Sequence, residues 1–279
     1  MEIIYTQIAL KEKRKELKDK SLQVGFVPTM GALHAGHLQL LKEARKENDA
    51  VICSIFVNPI QFNNPTDLEH YPRHPEQDIA LIASYCDVLF MPSAEEMYPN
   101  PPQETYHFGK LESVMEGYHR PGHFNGVATV VKRFFDVIDP DIAYFGEKDF
   151  QQLVIIRKLV EDYNLRVKIQ SINTVREDDG LAMSSRNKLL SAQAREVAPF
   201  IYQMLQQAKN LKKEKNPLEI KAWLEEKFNK NDFFTLEYAQ LVNAQTLEEV
   251  NAYNQAENIV ACVALWLDNV RLIDNITIK

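Results

Sequence analysis

Apolar and polar positions along the chain follow two regimes that meet near residue 175. Before it, short apolar runs at 23–27, 51–57, 87–91 and 142–145, and a run at 166–172 that alternates basic or polar with apolar residues, are interleaved with segments apolar at helical spacing at 36–47, 75–84, 127–137 and 150–162. The short runs predict strands, and 51–57 is apolar enough to be buried on both faces of a parallel sheet. A lysine-rich helical pattern at 6–20 carries few large apolar side chains and predicts a solvated surface helix. Repeated β-α alternation predicts right-handed crossovers, and hence an α/β, Rossmann-like parallel sheet with helices on both faces.

Beyond Arg176 the alternation stops. Ser191 is placed to cap one long helix running to about residue 213, and Asn216-Pro217 to start another reaching 230. Strand-like runs at 233–242, 259–267 and 271–278 follow, predicting a smaller C-terminal α+β domain with an antiparallel sheet. The expected division is therefore 1–175 and 176–279. No internal repeat or low-complexity tract is visible.

Composition narrows the class. With 45% hydrophobic and 25% charged residues over 279 positions, neither a disordered chain nor a fibre fits. A formal net charge of -7 argues against nucleic acid as the main partner, because affinity for a phosphate backbone comes from clustered Lys and Arg. Cys53, Cys86 and Cys262 lie inside apolar runs and are expected to be reduced core residues. The longest apolar run, 259–267, is far shorter than the roughly 20 residues a bilayer span needs, and no apolar leader follows the first charges. A soluble protein of a reducing, cytoplasmic compartment is the expectation, with no membrane partner.

Candidate chemistry centres on residues 24–40. A buried strand there passes through a Pro28–Gly31 turn into a helix start carrying His34 and His37. Backbone N–H groups at such a start bind anions, and two imidazoles three residues apart share one side of it. Three readings stand at this stage: a phosphate site, a metal pair lacking its further ligands, and a structural pair. Gly146-Glu147-Lys148-Asp149 repeats the geometry after the 142–145 strand, which brings Lys148 to the same sheet edge. Met183-Ser184-Ser185-Arg186 lies in a polar loop at the domain junction, where two hydroxyls and a guanidinium could close over phosphates or merely cap a helix. Gln61 and Gln152 offer neutral amides near strand ends. Arg120 and His123 either bind an anion or shape their loop, and Glu76 and Asp78 either hold Mg²⁺ through water or complement a helix dipole.

Taken together, Pro28-Thr-Met-Gly-Ala-Leu-His-Ala-Gly-His37, Asn58-Pro-Ile-Gln-Phe62, Tyr71-Pro-Arg73, Arg120-Pro-Gly-His-Phe-Asn-Gly-Val127, Phe145-Gly-Glu-Lys-Asp-Phe-Gln-Gln152 and Met183-Ser-Ser-Arg-Asn187 closely resemble the pantothenate synthetase family. The blocks keep that family's order and spacing from residue 24 to 190. His34-Ala-Gly-His37 and Met183-Ser-Ser-Arg186 are also similar to elements of nucleotidylyltransferases and class I aminoacyl-tRNA synthetases. The resemblance implies that ATP drives condensation of pantoate with β-alanine through a pantoyl-adenylate, releasing AMP and pyrophosphate. It implies ATP binding by Met30, Gly31, His34, His37, Gly146, Glu147, Lys148, Asp149, Val175, Met183, Ser184, Ser185 and Arg186. His37, His34 and Lys148 are the implied catalytic residues, with His37 the proton donor. Gln61 and Gln152 are implied to bind pantoate, Gln61 also β-alanine. Mg²⁺ and a homodimer are implied too. Gln77 beside Asp78 departs from the family's pattern of two acids, which bears on the expected water-mediated contact from Asp78 to Mg²⁺.

Overall fold

The computed structural model describes residues 1–63 and 65–279. Nine strands occur among them: β1 (Glu2–Ile4), β2 (Val24–Thr29), β3 (Ala50–Ile55), β4 (Val88–Phe90), β5 (Ile142–Gly146), β6 (Lys168–Ile172), β7 (Phe234–Asn243), β8 (Ile259–Leu267) and β9 (Val270–Thr277). The first six form one parallel sheet in the order β1-β4-β3-β2-β5-β6, and the last three an antiparallel sheet in the order β7-β8-β9. The α/β class and the antiparallel second sheet agree with the sequence pattern.

Burial explains the unbroken apolar strands. Residues 50–54 of β3 are buried because both faces of the sheet are covered. Val24, Phe26, Ile52 and Phe90 pack on one side with the helix His123–Ile138. On the other side Val27, Val51, Cys53 and Leu89 pack against Leu40, Leu41 and Ala44 of the helix Ala35–Glu47. All three cysteines are free and buried, as expected.

In the second unit, Ile201, Leu205, Ile220, Leu224 and Phe228 cover one face of the sheet at Leu241, Val263 and Leu265. Its opposite face brings Val242, Val260 and Cys262 against Met115 and Val154 of the first unit. With a neighbour on each side, β8 is buried at every position but Trp266.

Three departures from the periodicity have simple causes. Strand β1 is three residues long, too short to register as a pattern, and it is placed by pairing Glu2, Ile3 and Ile4 with β4. The helix expected from 191 to 213 is two helices, Ala192–Val197 and Phe200–Leu211. Pro199 lies between them and has no N–H to continue the ladder. The helix expected to begin at 127 begins at His123, where Gly122 turns the chain at φ 81°.

A candidate nucleotide and acid site

Strands β2 and β5 are adjacent in the sheet, and from them the chain winds outward in opposite directions, to β3 and to β6. Such a reversal opens a crevice at the carboxyl ends of the strands, the usual ligand site of open α/β sheets. Both turns singled out in the sequence open there. Between them lies a cavity of about 270 Å³, roofed by the junction loop and by part of β9.

The β2 turn is built from its own backbone. His34 caps the helix Ala35–Glu47: its Nδ1 accepts the Gly36 N–H at 3.1 Å, while Nδ1 of His37 accepts the His34 N–H at 3.3 Å. An Nδ1 that accepts carries no proton, so each neutral ring keeps its hydrogen on Nε2 as its remaining donor. The rings lie 4.1 Å apart. Burial pushes the His34 imidazole down to about 4, helped by the Lys148 charge, and His37 to about 3, helped by His34. At neutral pH both are uncharged hydrogen-bond donors. A side chain on Gly36 would meet the His34 ring at 2.9 Å, which explains the glycine between the histidines.

Asp78, the expected water-mediated contact to Mg²⁺, is turned to the main chain. It is 2% exposed, and its two oxygens accept the backbone N–H groups of Ala32 (2.9 Å) and Leu33 (2.7 Å). The carboxylate is a clamp on the turn, and its lone pairs face backbone rather than the cavity. Among the described residues no group of three or more His, Cys, Asp or Glu side chains is placed to hold a metal.

After β5, Glu147–Asp149 forms one 3₁₀ turn leading into the helix Phe150–Asp162. Lys148 Nζ lies 3.8 Å from an Asp149 oxygen, and both side chains line the cavity. The turn is held from the far end of the chain, because Asn275 Nδ2 donates to the carbonyls of Glu147 (2.9 Å) and Lys148 (3.0 Å). Next to it Asp274, 4% exposed, takes a bidentate contact from Arg176 at 2.6 and 3.0 Å, fixing the start of the junction loop. The Arg176 guanidinium also lies 3.6 Å over the Tyr202 ring.

In the junction loop, the Met183 N–H donates to the Val175 carbonyl at 3.0 Å, and Ser184 caps the short turn Ser185–Leu189. Ser185 lies beside the Tyr71 hydroxyl. Arg186 lies 5.9 Å from the Tyr71 ring centre and pairs with Asp67 at 3.4 Å. The 58–75 loop and the junction loop therefore meet over the cavity.

Gln61 is 7% exposed and held by neighbours. Tyr98 donates to Asn58 Oδ1 at 2.8 Å, and Asn58 Nδ2 donates to Gln61 Oε1 at 3.0 Å and to the Gly126 carbonyl at 3.1 Å. That order points the Gln61 NH₂ toward the cavity, beside Met30 Sδ at 3.1 Å. The helix His123–Ile138 presses so closely on this turn that a side chain on Gly126 would sit 2.5 Å from the Ile60 carbonyl oxygen. Both Gln151 and Gln152 border the cavity, but the Gln151 amide is committed as a buried brace on the carbonyls of Leu111 and Val114.

The structure thus gathers Met30, His34, His37, Gln61, Gly146, Lys148, Asp149, Gln152, Val175, Met183, Ser184, Ser185 and Arg186 around one space. Gly31, Glu147 and Asp78 lie behind the lining. Asn275 and Asp274 were missed, because β9 alternates polar and apolar residues and an Asp-Asn pair in it gives no distinct signal. Asn58 and Tyr71, noticed only as parts of motifs, prove to orient Gln61 and to support the junction loop.

The fold and cavity define a nucleotide-binding α/β enzyme with its site at the sheet's switch point. The chain belongs to the pantoate–β-alanine ligase family: the family model described as "Pantoate-beta-alanine ligase" matches residues 2–277. It is 44% identical to a pantothenate synthetase of Porphyromonas gingivalis over 277 residues, 99% of each chain. It is 46% identical to that of Christiangramia forsetii over 282 residues, 100% of each. Among solved structures, pantothenate synthetase from Thermus thermophilus superposes with a TM-score of 0.93 at 40% identity, covering 100% of both chains. Pantoate-beta-alanine ligase from Francisella tularensis, complexed with beta-gamma ATP and beta-alanine, gives 0.83 at 38% identity over 99% and 97%.

Proposed function

We propose that the cavity joins pantoate to β-alanine at the expense of ATP, in two steps. In the first, a pantoate carboxylate oxygen attacks the α-phosphorus, the bond to the bridging oxygen breaks, and pyrophosphate leaves. In the second, the amine of β-alanine attacks the acyl carbon of the adenylate. The carbon–oxygen bond then breaks, AMP leaves, and the nitrogen gives up a proton.

The observation that carries this reading is the pair of helix-start turns after β2 and β5, facing one cavity across the switch point. Backbone N–H groups and the Nε2 donors of His34 and His37 suit the charge that develops on the α-phosphate, a preorganised electrostatic role. Because both rings are neutral in the free protein, His37 acts first as a hydrogen-bond donor, gaining basicity only when the phosphates arrive. Lys148 and Arg186 neutralise the triphosphate, Ser184 and Ser185 donate to it, Gly146 and Asp149 take the ribose, and Val175 with Met183 border the adenine. Gln61 and Gln152 hold the pantoate hydroxyls by neutral amides, leaving its carboxylate free to attack.

Mg²⁺ enters this scheme as part of the nucleotide substrate, carried on the leaving phosphates. With Asp78 turned to backbone, no protein ligand is assigned to it. Residues 1–175 form the ATP- and pantoate-binding unit in this reading, and 176–279 the lid. A cytoplasmic homodimer is proposed on the family resemblance, and light scattering checks the dimer.

The test is an assay with each substrate omitted in turn. AMP should form only when ATP, pantoate and β-alanine are all present, and ATP–pyrophosphate exchange should require pantoate but not β-alanine. Equal exchange without pantoate would sink the substrate assignment.

A further inference from the structure

Among the described residues, three lysine or arginine side chains line the cavity: Lys148, Arg186 and Arg120. The proposed function uses the first two on phosphate. Arg120 has no part in it, and its surroundings suit a different anion.

Arg120 ends the short helix Met115–His119 and projects beside the start of the helix His123–Ile138. Its Nη1 donates to His123 Nε2 at 3.1 Å, which leaves the His123 proton on Nδ1, 2.9 Å from the Gln61 carbonyl. This two-step chain sets the guanidinium next to the residue proposed to hold pantoate, with 27% of its side chain exposed.

Its counter-charge is weak. The nearest carboxylate, Glu116, is 3.8 Å away, and both Glu116 oxygens are taken by Arg271 at 2.7 Å, with the Tyr238 hydroxyl adding a third contact at 2.9 Å. Arg271 in turn pairs with Glu237. Among the described residues, a half-buried guanidinium that bonds one neutral imidazole, and shares a carboxylate already claimed by another arginine, still has unused donors in a planar fork that matches a carboxylate.

Two carboxylates enter this reaction. That of pantoate is the nucleophile, and a guanidinium on it would withdraw the electron density the attack needs. That of the amino acid never reacts.

We propose that Arg120 binds the carboxylate of the β-alanine acceptor, holding its far end beside Gln61 so that the amine reaches the acyl carbon. The inference rests on the ligase reading above. It makes Arg120 the residue by which the enzyme prefers an amino acid to a simple amine.

The test compares Arg120→Gln and Arg120→Lys with the unaltered enzyme in the full reaction and in pantoate-dependent ATP–pyrophosphate exchange. Losing a charge-assisted fork should raise KM for β-alanine about 10- to 100-fold in R120Q, and less in R120K, which keeps the charge but not the planar geometry. Exchange should persist in both with unchanged KM for ATP and pantoate, which also reports an intact fold. The preference for β-alanine over 1-aminopropane as acceptor should collapse in R120Q. An unchanged KM for β-alanine, or a retained preference, overturns the proposal. So does a parallel rise in KM for pantoate during exchange, which would make Arg120 a support for Gln61. If the unaltered enzyme itself shows no pantoate dependence in exchange, the ligase reading fails instead, and the two failures are distinct.

Discussion

Asn275 in the last strand holds the turn that carries Lys148: its Nδ2 lies 2.9 Å from the Glu147 carbonyl oxygen and 3.0 Å from that of Lys148. The second sheet thus fixes the main chain of a cation in the first. Replacing Asn275 by Ala removes both donors and should lower kcat/KM for ATP about tenfold, the value of one to two lost hydrogen bonds. Initial rates across an ATP titration check this. An unchanged value would mean that the Lys148 turn holds its shape unaided.

In the proposed reaction, His37 and Lys148 act on charge that grows during adenylation rather than on charge already present in bound ATP. Substitution of either by Ala should lower kcat by about 10²- to 10³-fold, the range for removing a preorganised donor at a developing oxyanion. ATP affinity should change by less than about tenfold. Calorimetric titration beside single-turnover rates separates the two quantities, and a loss carried mainly by affinity would contradict the assignment.

Asp78 gives a prediction about stability and about magnesium. Asn at that position has one acceptor where the carboxylate has two, and its NH₂ would face a backbone N–H. Asp78→Asn should therefore destabilise the fold by about 2–4 kcal/mol, the order expected when a buried charged acceptor of two bonds is lost. Denaturant unfolding measures this. The Mg²⁺ concentration for half-maximal activity should be unchanged in whatever fraction folds, and a large shift in it would restore the metal role.

His123 makes stability depend on pH. Burial and the neighbouring Arg120 charge push its imidazole down to about 4, below the usual value near 6.5. Between those values the unfolded chain takes up a proton that the folded chain refuses, so stability falls as pH drops from about 6.5 toward 4 and is unaffected above that window. The full effect is about 3 kcal/mol. In His123→Gln, whose amide can also accept from Arg120 and donate to Gln61, the wild-type-minus-variant difference should shrink by about that amount from pH 7 to pH 4. Equal pH slopes for the two proteins would show that His123 does not titrate in this window.

Much of the fold was legible because the signals are local. Apolar runs, glycine turns and capping residues placed five of the six parallel strands and all three antiparallel ones within a few residues. The misses came from features that pattern does not register: β1, placed only by its partner, and the break at Pro199, where the overriding apolar periodicity hid a residue that cannot donate. At the site, the histidine turn and the lysine turn were found because each is a contiguous motif. The part Asp78 plays in the turn was not legible, because an acid in a first helical turn looks the same whether it faces solvent, metal or a neighbouring turn.

By itself, then, the sequence determined the class of fold, the two turns that line the cavity, the amide and junction-loop residues and, through its contiguous motifs, the family. Each of these is written within a few neighbouring positions. Tertiary structure alone decided which groups hold that machinery and which remain free. Asp78 clamps Ala32 from 46 residues away in sequence, and Asn275 clamps Lys148 from 127. Arg120 is left with unused donors because Arg271, 155 residues from Glu116, has claimed that carboxylate. Such outcomes depend on where the chain returns in space, and that is settled by packing two sheets against each other rather than by the identity of any neighbouring residue.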